Sequence, residues 1–128
     1  MTKLIMEKTP ISTQHVYGNR AVGKRVIRYL TKAGKDYKTA LSKIANEHFN
    51  TPLTGNVIMR IDLMFPDKRR RDVDNYNKII LDALEGIAYL DDKQVQCLVV
   101  QKWMETKQGA IIVEVLPYTI ENVLGVMI

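Results

Sequence analysis

The residues best suited to chemistry in this chain are a run of bases followed at once by a cluster of carboxylates. Four consecutive bases occupy positions 68–71, and six of the 14 acidic residues lie between positions 72 and 92. Crowded carboxylates repel one another, and the repulsion grows as they leave water, unless a cation joins them. Because the whole chain carries a net charge of +5, this local cluster predicts Mg²⁺ held beside a polyanion. Phosphodiester hydrolysis is a reaction that such a site performs.

The bases are unevenly distributed along the chain. Residues 1–40 hold nine Lys and Arg against two acids, whereas residues 41–128 hold 10 bases and 12 acids. A basic N-terminal third predicts a surface that contacts phosphates, with a solvated helix face as the alternative.

Length and composition indicate one domain of ordinary globular type, with 128 residues and 46% apolar side chains. Cys97 is the single cysteine, so it forms no internal disulfide, and its apolar neighbours predict a buried structural thiol. The sequence contains no run near the roughly 18 apolar residues of a membrane span and no signal-peptide pattern at its start. We therefore expect a cytoplasmic protein that does not contact a membrane.

The first half of the chain alternates strand and helix patterns. We expect a strand at Lys3–Glu7, a long basic loop or loosely structured hairpin over Thr9–Gly34, and a helix at Lys35–Phe49. A strand is predicted at Val57–Phe65, because its alternate residues are apolar and place one face toward a core.

The next predicted helix, Val73–Ile87, carries most of the candidate chemistry. One face is apolar, and the opposite face is lined by Asp74, Lys78, Asp82 and Glu85. Asp72 precedes this helix as its predicted N-cap.

The remaining elements are a return turn at residues 89–92, a strand at Val95–Met104, a hairpin turn at residues 107–109 and a partner strand at Ala110–Leu116. The predicted fold class is therefore α+β, a small mixed sheet of four to five strands with two helices on one face.

Each acidic residue also has an ordinary structural explanation. Asp72 alone is typical of a helix cap, Asp91 and Asp92 of a turn, and Asp74 with Lys78 of a solvated helix pair. A helix from 74 to 87 is about 20 Å long. Asp92 therefore reaches Asp74 only if the chain doubles back beside that helix.

The segments Pro66–Asn75, Lys78, Asp82–Leu84 and Leu90–Val95 occur in an order and spacing that resemble the signature of the RusA family of Holliday-junction resolvases. Members of this family are small homodimeric endonucleases that bind branched DNA. The resemblance implies one domain over residues 1–128 that cuts four-way junctions by paired symmetric nicks in DNA recombination and repair.

The resemblance also implies roles for individual residues. Asp72, Asp74 and Asp92 would be catalytic metal ligands, Asp91 would be a neighbouring carboxylate, and Lys78 would be a base near the scissile phosphate. The implied metal is Mg²⁺, with Mn²⁺ as a substitute and no nucleotide cofactor. The turn at Pro10–Tyr17 lacks the Asn that family members commonly carry there, and Gln14 or His15 stands in its place.

Further bases are predicted to contact DNA phosphates, which supply affinity without reading the sequence. They are Lys68, Arg69, Arg70, Arg71, Arg20, Lys24 and Arg25. Because a four-way junction is nearly two-fold symmetric, cutting two strands in step requires two related sites, and we expect a homodimer. The alternatives are a metal-dependent nuclease for flaps or single strands, and a DNA-binding module without catalysis.

Overall fold

A four-stranded mixed sheet forms the centre of the molecule. The computed structural model describes residues 3–127. The strands are β1 Lys3–Met6, β2 Tyr17–Val22, β3 Arg25–Leu30, β4 Val57–Met64, β5 Val95–Trp103 and β6 Ala110–Pro117. The α-helices are α1 Thr13–Val16, α2 Lys32–His48, α3 Asn77–Leu84 and α4 Ile120–Met127, and short 3-10 helices occupy Val73–Asn75 and Asp92–Gln94.

Strand β4 lies inside the sheet, whose order is β1-β6-β4-β5. It pairs antiparallel with β6 and parallel with β5, so β4, α3 and β5 form a crossover unit. The alternation predicted for β4 is confirmed, because its inward side chains are fully buried: Val57, Met59, Ile61 and Leu63.

The core lies between this face of the sheet and helices α2 and α3. Helix α2 contributes Tyr37, Leu41 and Ala45, and α3 contributes Ile79, Ile80, Ala83 and Leu84. The α+β class, with two helices on one face, is therefore confirmed. Helix α4 contacts β4 and β5, and Arg60 of β4 donates a hydrogen bond to the Val126 carbonyl in α4 (3.1 Å).

Helix α2 begins three residues before the predicted start. Its N-cap is Thr31, whose hydroxyl accepts a hydrogen bond from the Gly34 amide (3.0 Å). A glycine is needed at position 34 because the Val16 carbonyl of α1 approaches the helix closely there. A Cβ at position 34 would lie 2.5 Å from that oxygen.

The predicted helix over 73–87 is wrong in its extent. Residues Val73–Asn75 form a 3-10 turn, Tyr76 lies outside helical geometry at φ −121° and ψ −2°, and α3 covers Asn77–Leu84 alone. Gly86 follows with φ +83°, a conformation that favours glycine and ends the helix. Asp72 stands at an N-cap as predicted, but the cap is that of the 3-10 turn, and the Asp72 side chain makes no cap hydrogen bond.

The predicted hairpin between β5 and β6 is likewise wrong, because β4 lies between the two strands. The loop joining them crosses the end of β4. Phe65 donates to the Trp103 carbonyl (2.9 Å), and Thr106 donates to the Phe65 carbonyl (3.0 Å). Placing β4 in the centre pairs its backbone with β5 on one edge and β6 on the other, so its buried N–H and C=O groups have partners.

The segment Thr9–Gly34 contains a real hairpin, in which β2 and β3 pair over their full length and form a separate two-stranded sheet. The outer residues of this hairpin are exposed.

Cys97 is partly exposed, so its predicted burial is wrong. The helices described within residues 3–127 include none that is long and apolar enough to cross a membrane.

Candidate active site

Three carboxylates meet where α3 ends and β5 begins. Glu85, Asp91 and Asp92 each offer an oxygen within 4.8 Å of the others. The Asp92 amide donates to Glu85 Oε1 (3.1 Å), which ties the end of the helix to the following turn. We call these three residues the acidic turn.

Local hydrogen bonds hold the acidic turn in place. Asp91 caps the 3-10 helix by accepting from the Lys93 amide (2.9 Å). Gln94 accepts from the amides of residues 90 and 91 and donates to the carbonyls of Leu53 and Gly55, both at 2.8 Å. The turn is therefore fixed to the chain that enters β4.

The two adjacent aspartates differ in electrostatic environment. The backbone amide of Lys93 lowers the pKa of the Asp91 carboxyl. Partial desolvation, followed by the hydrogen bond with Asp91 and repulsion from Glu85, raises the pKa of the Asp92 carboxyl. A pKa raised by neighbouring carboxylates is a property of a site that gains from a bound cation.

Lys78 and Asp82 continue the charged face of α3 toward its start. Lys78 Nζ lies 3.4 Å from Asp82 Oδ2, and the Tyr17 hydroxyl donates to the same oxygen. Desolvation and the bond to Asp82 raise the pKa of Tyr17, which keeps its hydroxyl protonated. The i,i+4 partner of Lys78 in the structure is thus Asp82, and the predicted pair of Lys78 with Asp74 is not formed among the described residues.

Asp72 and Asp74 lie before the other end of α3. Asp72 lines an open cleft of about 360 Å³ with the turn at residues 12–15, Arg70, Arg71 and Asn75. The Thr13 hydroxyl donates to the Asn75 carbonyl (2.8 Å) and fixes that turn against the acidic segment. The segment in which the family Asn is missing therefore borders Asp72.

The structure separates the predicted metal ligands into two groups. Asp92 joins Asp91 and Glu85, whereas within residues 3–127 neither Asp72 nor Asp74 belongs to a set of three possible ligands. Helix α3 spans eight residues, about 12 Å at 1.5 Å per residue, and it lies between the two groups.

The four bases at 68–71 have different environments. Arg71 is largely buried, pairs with Asp67 (2.6 Å) and lies 4.4 Å above the Phe65 ring. Lys68 pairs with Glu105 (3.4 Å), and Arg69 lies 3.5 Å from Asp67. Arg70 is exposed and forms no ion pair within the described part of the chain. It is therefore the base of this run most available to DNA.

The remaining predicted DNA contacts lie on the β2–β3 hairpin. Arg20, Lys24 and Arg25 are exposed there. Arg28, on the same hairpin, lies 4.2 Å above the Tyr17 ring. The hairpin thus joins a basic surface to the charged face of α3.

The acidic turn provides oxygen ligands alone, the type that hard divalent cations prefer. The oxygen atoms of the acidic turn fit Mg²⁺ in type and in their distance from one another.

The sequence pattern placed Glu85 on the polar face of the predicted helix but did not assign it to a site. The contact of Glu85 with Asp92 depends on where α3 ends. The contact of Tyr17 with Asp82 was also missed, because it crosses 65 positions of sequence.

Comparison with known proteins gives consistent matches. The family model described as endodeoxyribonuclease RusA matches residues 8–116. The crossover junction endodeoxyribonuclease RusA of Shigella sonnei (strain Ss046) is 36% identical over 83 residues, which cover 63% of this chain and 69% of the relative. The RusA protein of Escherichia coli (strain K12) matches with the same identity and coverage. That of Enterobacteria phage 82 is 35% identical over 83 residues, with the same coverage of both chains.

Proposed function

This chain belongs to the RusA endodeoxyribonuclease family, and from that membership we propose that it resolves four-way DNA junctions by paired, symmetric nicks. The reaction is metal-dependent phosphodiester hydrolysis and serves DNA recombination and repair. The observation that carries the proposal is the charged face of α3. It places Lys78 between two groups of carboxylates, beside a basic hairpin and within the segment matched by the family.

The carboxylates Asp72, Asp74 and Asp92 are the proposed ligands, with Asp91 beside them. Glu85 extends this set, since it shares the acidic turn with Asp92. We propose Mg²⁺ as the ion, replaceable by Mn²⁺. When bound, it offsets charge on the phosphoryl oxygens and promotes ionisation of the attacking water.

Lys78 supplies positive charge near the scissile phosphate. Its ammonium is about half exposed and lies 3.4 Å from Asp82, longer than the 2.7–2.9 Å of a tight charge-assisted hydrogen bond. The side chain can therefore exchange its partner for a phosphoryl oxygen as charge builds in the transition state.

DNA is held by phosphate contacts along two surfaces. Arg70 borders the cleft beside Asp72, and Arg20, Lys24 and Arg25 extend from the hairpin. Lys68 and Arg69 contribute at the rim, where exposed ion pairs are weak enough to open. Arg71 stabilises this surface through its ion pair with Asp67 and its contact with the Phe65 ring, and it does not contact a phosphate.

We propose that the active form is a homodimer in which a two-fold axis relates two sites to the two strands that are cut. The separation of the carboxylate groups by α3 supports this proposal, because a second chain can supply the group that one chain places too far away.

Cleavage of branched DNA is tested with Asp74→Asn, in which the proposed metal-binding charge is lost. This variant should bind junctions as tightly as the wild type or tighter, because it carries less negative charge near phosphate, yet it should cut none. The matched control is Asp36→Asn, which makes the same charge change on the exposed side of α2, where Asp36 pairs with Lys32 (3.5 Å) and does not belong to the proposed site. That control should cut normally.

A further inference from the structure

Tyr17 and Lys78 share one oxygen of Asp82. The Tyr17 hydroxyl donates to Asp82 Oδ2, and Lys78 Nζ lies 3.4 Å from the same atom. Tyr17 begins β2 at the base of the hairpin, whereas Lys78 and Asp82 are one turn apart on α3. Within residues 3–127, Asp82 Oδ1 accepts no hydrogen bond.

The Tyr17 ring also contacts two cations. Arg28 Cζ lies 4.2 Å from the ring centroid, and Lys78 Nζ lies 5.7 Å from it. Residues 17 and 28 are diagonal neighbours on one face of the hairpin, since Tyr17 pairs with Leu30 and Asn19 with Arg28. One tyrosine therefore joins the basic hairpin, Asp82 and the proposed catalytic lysine.

We propose that Tyr17 is a positioning residue for Lys78, acting through Asp82. Its hydroxyl satisfies the carboxylate oxygen that would otherwise draw the ammonium into a close ion pair. Lys78 is thereby held near the site but remains loosely bound, free to move to a phosphate. This inference rests on the proposed function, because it assigns Tyr17 a role in the same cleavage site.

If Tyr17 only anchored the hairpin, a different result would be expected. Its loss would lower the melting temperature and junction affinity together, and the state of Lys78 would not change. The positioning role instead predicts that removing the hydroxyl tightens the Lys78–Asp82 pair. It also predicts that the loss of rate disappears once residue 82 carries no charge.

The test compares Tyr17→Phe, which keeps the ring and removes the hydroxyl, with Tyr118→Phe. Tyr118 follows β6 and is 47% exposed, and its hydroxyl makes no hydrogen bond among the described residues, so this control makes the same chemical change without removing a contact. Tyr17→Phe should slow single-turnover junction cleavage by about tenfold with unchanged junction affinity, since the interaction acts on the chemical step. Tyr118→Phe should match the wild type.

The double variant Tyr17→Phe/Asp82→Asn gives the decisive comparison, because non-additivity reports coupling between neighbours. Its rate should equal that of Asp82→Asn alone. A normal rate in Tyr17→Phe, or an undiminished tenfold loss in the Asp82→Asn background, would overturn the proposal.

A second readout needs no cleavage. Nitrogen-15 NMR of the lysine ammonium groups should show slower solvent exchange at Lys78 in Tyr17→Phe than in the wild type, because the ion pair has tightened. Equal exchange in the two proteins would contradict the positioning role. If the wild type cuts no junction while this exchange difference is seen, the proposed function fails and the link between Tyr17 and Lys78 stands.

Discussion

Neighbouring residues of one type have different roles in this protein, and the difference depends on the partners that surround each side chain. Arg70 and Arg71 both line the cleft beside Asp72, yet Arg71 is held by Asp67 and stacked on Phe65, whereas Arg70 is exposed and forms no ion pair within the described part of the chain. Asp91 and Asp92 are both exposed, yet the pKa of Asp91 is lowered by the Lys93 amide, whereas the pKa of Asp92 is raised by desolvation and then by Asp91 and Glu85. Sequence patterns identified the charged residues but could not assign these roles, because the partners are set by the fold.

Arg71→Gln and Arg70→Gln should separate structural from DNA-binding charge. Arg71→Gln should lower the free energy of unfolding by about 1 kcal/mol, since it removes a partly desolvated cation–π contact along with the Asp67 pair. Arg70→Gln should leave stability unchanged, weaken binding to every DNA shape and reduce the log–log salt slope by roughly 0.9. Thermal melts and salt-dependent binding of both variants check this. Equal salt slopes for Arg70→Gln and the wild type would show that Arg70 contacts no phosphate.

Asp67 should titrate abnormally. The Arg71 hydrogen bond, followed by the Arg69 amide, lowers the pKa of Asp67 to about 2 from an ordinary value of 3.8. Because the folded pKa is the lower one, the pair stabilises the protein fully above the unfolded pKa. That contribution is lost as pH falls from about 3.8 through about 2.

Carbon-13 NMR of the carboxyl groups measures this titration directly. The Asp67 midpoint should lie near 2 in the wild type and rise toward 3.8 in Arg71→Gln. A wild-type midpoint at the ordinary value would mean that the pair does not persist in solution.

Lys78→Ala separates a catalytic lysine from a charge that only solvates the helix. If the ammonium meets the phosphate in the transition state, single-turnover cleavage should fall by at least about tenfold with little loss of binding. If it only pairs with Asp82, stability should fall by a few tenths of a kcal/mol and cleavage should persist. A normal single-turnover rate would remove Lys78 from the site.

At the scale of elements, strand β4 was predictable from the sequence, but its pairing with β5 and β6 was not. Its partial alternation predicted both the strand and its buried face, and the periodicity of α2 predicted that helix apart from its start. The order of β5, β4 and β6 depends on long-range pairing, so a short loop between two strands was mistaken for a hairpin turn. The predicted long helix failed at Tyr76 and Gly86, where backbone geometry overrides the side-chain pattern.

The dependence on long-range contacts also decided which residues of the candidate site were predictable. The acids and Lys78 were recognisable from residue type and from resemblance to the family. Helix α3 covers only Asn77–Leu84. Asp72 and Asp74 therefore precede the helix, and the acidic turn follows its other end. Glu85 and Tyr17 entered the site only through contacts that the fold creates.

Gly34→Ala tests the packing of α1 against α2. A Cβ there would lie 2.5 Å from the Val16 carbonyl oxygen, so we expect a loss of about 1–3 kcal/mol from overpacking. Gly125→Ala in exposed α4 meets nothing within 4 Å and should instead stabilise by up to about 1 kcal/mol through helix propensity. Urea denaturation of both variants measures the difference. Stabilisation by Gly34→Ala would show that α1 does not approach α2 so closely.

At the scale of the whole molecule, large apolar side chains remain exposed on several elements of the described chain. Exposed large side chains lie on β1, β5 and α4, including Ile5 at 55%, Trp103 at 44% and Leu124 at 56%. Apolar surface of this kind is typical of protein interfaces. This exposure supports the proposed homodimer.

Mixing two inactive variants tests whether the dimer shares its sites. If Asp74 of one chain acts with Asp92 of the other, a heterodimer of Asp74→Asn and Asp92→Asn contains one intact site. The mixture should then nick one strand of each junction, although each variant alone is inactive. Sites confined to single chains predict no cleavage in the mixture, with dimer formation checked by sedimentation.

The most direct test of the central claim is cleavage of a labelled synthetic four-way junction by the purified protein, with and without Mg²⁺, beside a linear duplex of the same sequence. We expect paired, symmetric nicks in the junction when Mg²⁺ is present, none when it is omitted, and none in the duplex. Similar cleavage of junction and duplex would indicate a nuclease of other specificity. Binding without cleavage of any DNA in Mg²⁺ would contradict the assignment as a junction-resolving endonuclease.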